Sequence, residues 1–154
     1  MVDIIITFFI TSGIGAVILS YILQAKKKKK EKAEEAYHIV AKTCSVLLSG
    51  IRATKARNDE EITEEQYLKE VERFQHGMSS TNISTLSAIV SFNFPTLISH
   101  MDELSRCCAQ LCELADKQSI GKNPILSSEL DKLAEKIQSS EMNFIVAIVR
   151  EGYK

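Results

Sequence analysis

Residues 4–23 read IIITFFITSGIGAVILSYIL and, after Gln24 and Ala25, residues 26–32 read KKKKKEK. Twenty residues pass without a charge. As a helix rising about 1.5 Å per residue they span about 30 Å, the thickness of a bilayer's hydrocarbon core. Thr7, Thr11, Ser12 and Ser20 can return their hydroxyls to the helix backbone, so they cost little in lipid. Tyr21 falls near the boundary, where an amphipathic ring is favoured. The stretch predicts a single transmembrane anchor over residues 1–25. A cleaved signal peptide would start with basic residues and end its shorter apolar core on a small-residue cleavage site. Here the start is Met1-Val2-Asp3 and the exit runs straight into Lys26.

The residues that follow give the anchor a direction. Lys26, Lys27, Lys28, Lys29, Lys30 and Lys32 form a basic juxtamembrane collar over residues 26–32. Positive residues beside a membrane helix stay on the cytoplasmic side. The expectation is a single-pass protein of the cell (inner) membrane, its N-terminus outside and residues 33–154 in the cytoplasm. The same lysines suit anionic lipid, at about 1 kcal/mol per Lys near the surface. Within the apolar stretch, Ser12-x-x-x-Ala16 beside Gly13 and Gly15 has the small-residue spacing that lets membrane helices pack closely, which motivates a homo-oligomer.

Net charge is −1 over 154 residues, but it is unevenly placed. The collar carries six lysines and one glutamate, whereas residues 33–154 hold 13 basic and 18 acidic residues. An acidic domain lacks the basic face that phosphate neutralisation requires, which excludes nucleic acid as a partner. Two Pro and six Gly are too few for a β-rich or disordered chain.

Helical periodicity runs through the rest. Ala33, Tyr37, Val40, Cys44, Leu47, Ile51 and Thr54 alternate four and three apart, with a second row at Ala36, Ile39, Thr43, Val46, Gly50 and Ala53. The spacing predicts a helix over residues 31–57, continuous with the anchor, ended by the polar loop at residues 58–61. Thr63 and Gln66 have the capping-box form and open a shorter helix with Tyr67, Val71 and Phe74 on one face. A third segment, residues 82–119, breaks at Pro95 and continues with Leu97, Met101, Leu104, Cys108, Leu111 and Ala115 as its seam. Residues 121–124, GKNP, mark a boundary, with Asn123 as cap and Pro124 in the first turn. The last helix buries Leu126, Leu130, Leu133, Ile137, Phe144 and Ile148, and its all-apolar run at residues 144–149, FIVAIV, reads as deeply buried. The fold class is therefore all-α: one N-terminal transmembrane helix continuing into a cytoplasmic bundle of about four helices over residues 33–154.

Few residues suggest chemistry. Cys108 and Cys112 lie one helical turn apart, His100 precedes them, and Cys44 can approach from another helix. Thiolate and imidazole are the ligands zinc prefers. The spacing fits no usual zinc pattern, and cysteines on apolar seams act as small hydrophobes, so no metal and no cofactor is assigned. Cys107 and Cys108 are adjacent and helical, unlike a loop-stapling disulfide framework. His38 and His76 belong to no motif, and no phosphate loop or nucleophile elbow occurs. The Ser/Thr-rich stretch at residues 81–95 also holds Ile83, Leu86, Ile89, Val90, Phe92 and Phe94, which would form a partner surface wherever the bundle leaves them uncovered. The expected role is not enzymatic. It is a membrane-anchored interaction or scaffold module holding an unknown protein partner at the lipid bilayer. The alternative is a membrane-tethered small-ligand or metal sensor with a Cys-containing core.

Overall fold

The computed structural model describes residues 14–116 and 123–153. Residues 4–13 of the expected span, the Ser12/Ala16 pattern and the first half of the boundary at residues 121–124 lie outside the described residues. Among the described residues the chain is all helix: α1 (Ile14–Asn58), α2 (Glu64–Ser79), α3 (Ile83–Asn93), a 3-10 turn (Pro95–Leu97), α4 (Ile98–Asp116) and α5 (Pro124–Gly152). No helix among them is long and apolar enough to cross a membrane. The transmembrane span predicted over residues 4–23 is thus not carried by the described chain, which holds only its second half.

That second half is nonetheless continuous with the domain. α1 runs 45 residues without a break, so Val17 to Leu23, the lysine collar and the first bundle helix belong to one helix. Val17, Ile18, Leu19, Ile22 and Leu23 are all exposed large apolar side chains. Burial begins at Ala33 and then follows Ala36, Val40, Cys44, Leu47, Ile51 and Thr54. Tyr37, placed on the seam by its spacing, is 39% exposed, because Ala36 takes the inner position at that turn.

The bundle is up-down-up-down, with its second leg in two pieces. α1 leads away from the collar, α2 and α3 return, α4 leads away again and α5 returns. At about 1.5 Å per residue, α2 and α3 together cover about 40 Å, matching the bundle portion of α1. The joint is built locally. Thr81 is buried and donates from Oγ1 to the Met78 carbonyl at 2.7 Å, while Lys42 of α1 donates to the Ser80 carbonyl at 2.9 Å. Asn82 then takes a left-handed conformation, φ 53°, which Asn tolerates better than most residues. The reversal at Pro95 is a true break. Phe94 is buried as its cap, and Pro95 opens the 3-10 turn in which its missing N–H costs nothing.

Every other helix packs on α1, and α1 with α5 makes the most extensive pair. Gly152 lies against Ala33 so closely that a Cβ there would clash with that of Ala33. At α2, the capping box forms as its sequence predicts, Gln66 accepting from the Thr63 N–H and Thr63 Oγ1 from the Gln66 N–H. Arg57 stacks over Tyr67 at 4.4 Å and pairs with Glu64 at 2.7 Å, fixing the start of α2 to the end of α1.

The far end is closed by polar groups rather than apolar ones. Asn58, expected as loop, is buried. Its Nδ2 donates to the Asn123 carbonyl at 3.0 Å and to Ser127 Oγ at 2.7 Å, and its Oδ1 accepts from the Asn123 N–H at 3.1 Å. Asn123 in turn caps α5, its Oδ1 accepting from the N–H groups of Ile125 and Leu126. One amide side chain thus ties the last turn of α1 to the first turn of α5. Asn58→Ala leaves the Asn123 N–H without its partner, while the Asn123 carbonyl keeps the Ser127 N–H, and is expected to destabilise the chain by about 1–3 kcal/mol. Urea denaturation followed by circular dichroism reads this as a lowered midpoint with native helix content; an unshifted midpoint refutes the tie.

Candidate functional site

The four cysteines divide by depth. Cys44 of α1 and Cys107 of α4 are buried, Cys108 is half-buried and Cys112 is exposed. Leu97, Leu104 and Leu111 hold the predicted seam, but Cys107 and Leu114 take the inward positions expected of Cys108 and Ala115. Leu104, Cys107, Leu111 and Leu114 face the core, and Met101 and Cys108 lie at its edge. The sequence reading placed Cys108 inward and passed over Cys107. The opposite alternation, three then four through Leu104, Cys107, Leu111 and Leu114, is equally apolar, and spacing alone does not choose between the two rows.

The thiol environments follow. Burial, then the charges of Glu141 and Cys107, push the Cys44 thiol up to about 12. Burial likewise raises Cys107, and burial with the neighbouring Cys112 raises Cys108, whose side chain hydrogen-bonds that of Cys112. Burial also holds the Glu141 carboxyl above the usual carboxylate range. Raised thiols are poor nucleophiles and poor metal ligands near neutral pH. His100 is drawn away from the cysteines and stacks on Phe144 of α5, ring centroids 5.6 Å apart. Cys44, Cys108, Cys112 and His100 do not converge; among the described residues no group of three or more His, Cys, Asp or Glu side chains is placed to hold a metal ion. His38 stands edge-on to Tyr37 at the surface, and His76 is exposed.

Two apolar surfaces stand out among the described residues. The first is a cleft of about 540 Å³ between α2 and α4, floored by α1. Its walls are Leu68, Val71 and Phe74 on one side and Leu111, Cys112 and Ala115 on the other. Gly50 forms part of the floor: a Cβ there would stand 2.8 Å from the Phe74 ring, so only glycine admits the ring this close. Beyond Phe74 a smaller cleft, lined by Met78, Leu86, Met101 and Cys108, continues between the same two legs.

The second is the outer face of α5. The FIVAIV run is helical, as expected, but it is not deeply buried. Phe144 and Ile148 face the core, whereas Val146 is 57% and Val149 48% exposed. With Met142 and Tyr153 they make one stripe at i, i+4, i+7 and i+11. Earlier along the same outer face the residues are Ser128, Lys132, Glu135 and Ser139, all exposed. Beyond Ile125, which is 71% exposed in the first turn, the face changes from polar to apolar as α5 approaches the collar end. Apolarity on both sides of a helix is invisible to periodicity, which is why the stripe read as core.

The collar lysines are exposed, apart from Lys29, which is half-buried. Lys27, Lys30 and Lys32 approach Glu31, Glu34 and Glu35 at 4.0, 3.9 and 2.6 Å. Such surface pairs hold their partners weakly. No protein-family model matches the chain, and no curated protein or solved structure matches it significantly.

The depth order predicts an order of reaction. With Ellman's reagent at pH 8, Cys112 is expected to react at once and Cys44 only on unfolding. The folded Cys44 thiol keeps its proton to about pH 12, whereas the unfolded one loses it near 9.0. Its contribution is full below pH 9 and is lost as pH rises through 12. Denaturation at a series of pH values should show Cys44→Ala losing less stability between pH 9 and 12 than the natural chain, and equal slopes would contradict the assignment.

Proposed function

We propose that this chain is a single-pass membrane-anchored interaction module, which holds a protein partner, or a second copy of itself, beside the bilayer. The observation that carries the reading is α1 itself: one helix passes from exposed apolar residues through six lysines into a buried seam without a joint. An exposed apolar helix end is costly in water, and lipid is the solvent in which that cost vanishes. The lysines then set the cytoplasmic side and favour anionic lipid. The outer stripe of α5 supplies the contact surface, since exposed apolar side chains in helical register are the form in which helices recognise helices. The reading includes no catalytic step, no cofactor and no nucleic acid.

The full chain is expected to stay with membranes through a high-salt wash. A photocrosslinking residue at position 146 should then capture a protein, while the same residue at position 128, on the polar part of the same face, captures none. Release by salt overturns the anchor, and equal capture or none at both positions overturns the contact surface.

A second reading has its own observation, the Cys112-walled cleft between α2 and α4. There the chain would be a membrane-tethered sensor of a small apolar ligand, the core thiols being structural. Anilinonaphthalene sulfonate should bind the native chain and be displaced when Cys112 is alkylated. Absence of binding, or binding indifferent to alkylation, removes this reading; zinc retained through purification and lost on Cys108→Ser would convert it to a metal sensor.

A further inference from the structure

The bundle has a polar far end and an aromatic near end. Four observations place the aromatics. Lys29 Nζ stands 6.0 Å from the Phe94 ring centroid, and Lys30 Nζ stands 5.3 Å from that of Tyr153. Gly152 abuts Ala33, so the end of α5 is level with the start of the bundle. Phe92, in the last turn of α3 beside Phe94, is 87% exposed, the highest exposure of any large apolar residue described. The corner at residues 92–95 and the end of α5 therefore flank α1 at the height of the collar.

Resting on the anchor reading, we propose that this end of the bundle is a second lipid contact, with Phe92 and Tyr153 entering the headgroup layer of an anionic bilayer beneath Lys29 and Lys30. The distances fit. From Leu23 to Lys29 is six residues, about 9 Å along a helix axis. The headgroup layer on each side of the hydrocarbon is about 5–8 Å deep, so rings beside Lys29 lie at its outer border. A tilt of about 20°, ordinary for single spans, lowers one flank into it. The charges fit as well. Residues 26–35 hold six lysines against Glu31, Glu34 and Glu35, and Lys26, Lys28 and Lys29 have no ion pair among the described residues. An exposed aromatic ring beside a lysine, as Tyr153 is beside Lys30, is the arrangement that interfacial belts use. The consequence is orientation: with two attachments the bundle stands end-on, and the α5 stripe faces sideways along the membrane.

The natural chain has no tryptophan, so one can report position. Full-length chain carrying Phe92→Trp is reconstituted in phosphatidylcholine vesicles, with or without phosphatidylserine, containing lipid brominated high on the acyl chain. Leu68→Trp, exposed on α2 near the far end, is the control. Expected is a blue-shifted emission from position 92, quenched about twofold and more strongly with phosphatidylserine, against none from position 68. Chain that floats with the vesicles yet shows position 92 no different from position 68, or indifferent to phosphatidylserine, overturns this contact and leaves the anchor standing. Chain that fails to float overturns both. Shielding that grows as the lipid-to-protein ratio falls assigns the corner to a second copy and overturns the lipid contact.

Discussion

The rest of the structure depends on the continuity of α1. A helix fixes the angle between successive side chains, so the phase set at one point is transmitted along its length. Here one helix carries three compositions in turn: apolar, basic and close-packed. It does so without a break. No proline occurs in it, and its single glycine within the bundle, Gly50, serves an approach by Phe74 rather than a hinge. α2, α3 and α5 then pack chiefly on it, and α4 is placed chiefly by α5. An unbroken helix at this point means that the direction of residues 14–23 and that of the bundle are coupled.

The two ends of the bundle are finished differently, and the difference is chemical. At the far end, backbone groups of α1 and α5 need partners, and Asn58, Asn123 and Ser127 provide them in a small connected network. At the collar end, the covering groups are Phe94, Tyr153 and lysine stems, which suit a surface part apolar and part charged.

Much of the fold was legible in the sequence because local chemistry marks it. The capping box at Thr63 and Gln66, the cap at Asn123 and the break at Pro95 are each determined within a few residues, and each forms. The buried face of α5 was legible because its leucines repeat without ambiguity. What the sequence hid was non-local. The burial of Asn58 comes from residues 65 and 69 positions away. The separation of α2 from α4, which opens the cleft, depends on the packing of three helices together. The α5 stripe was misread because an all-apolar run carries no phase. At the site, Cys44 was placed correctly inside, Cys108 and Cys107 were exchanged, and His100 was drawn to a ring that no spacing rule relates to it.

The place of the stripe decides what kind of association it can support. Met142, Val146, Val149 and Tyr153 span three turns, about 16 Å, a small area for a stable complex between freely diffusing proteins. Tethering changes that comparison. Chains held in one plane by an anchor meet at an effective concentration far above that in solution, so a contact too weak to persist in water can dominate at a membrane. A stripe whose apolar residues, Ile125 apart, gather in the turns nearest the collar is suited to this: it is strongest where an anchored neighbour would come closest. The polar turns beyond it, from Ser128 to Ser139, keep the remainder of the face from pairing and leave the distal part of α5 to water.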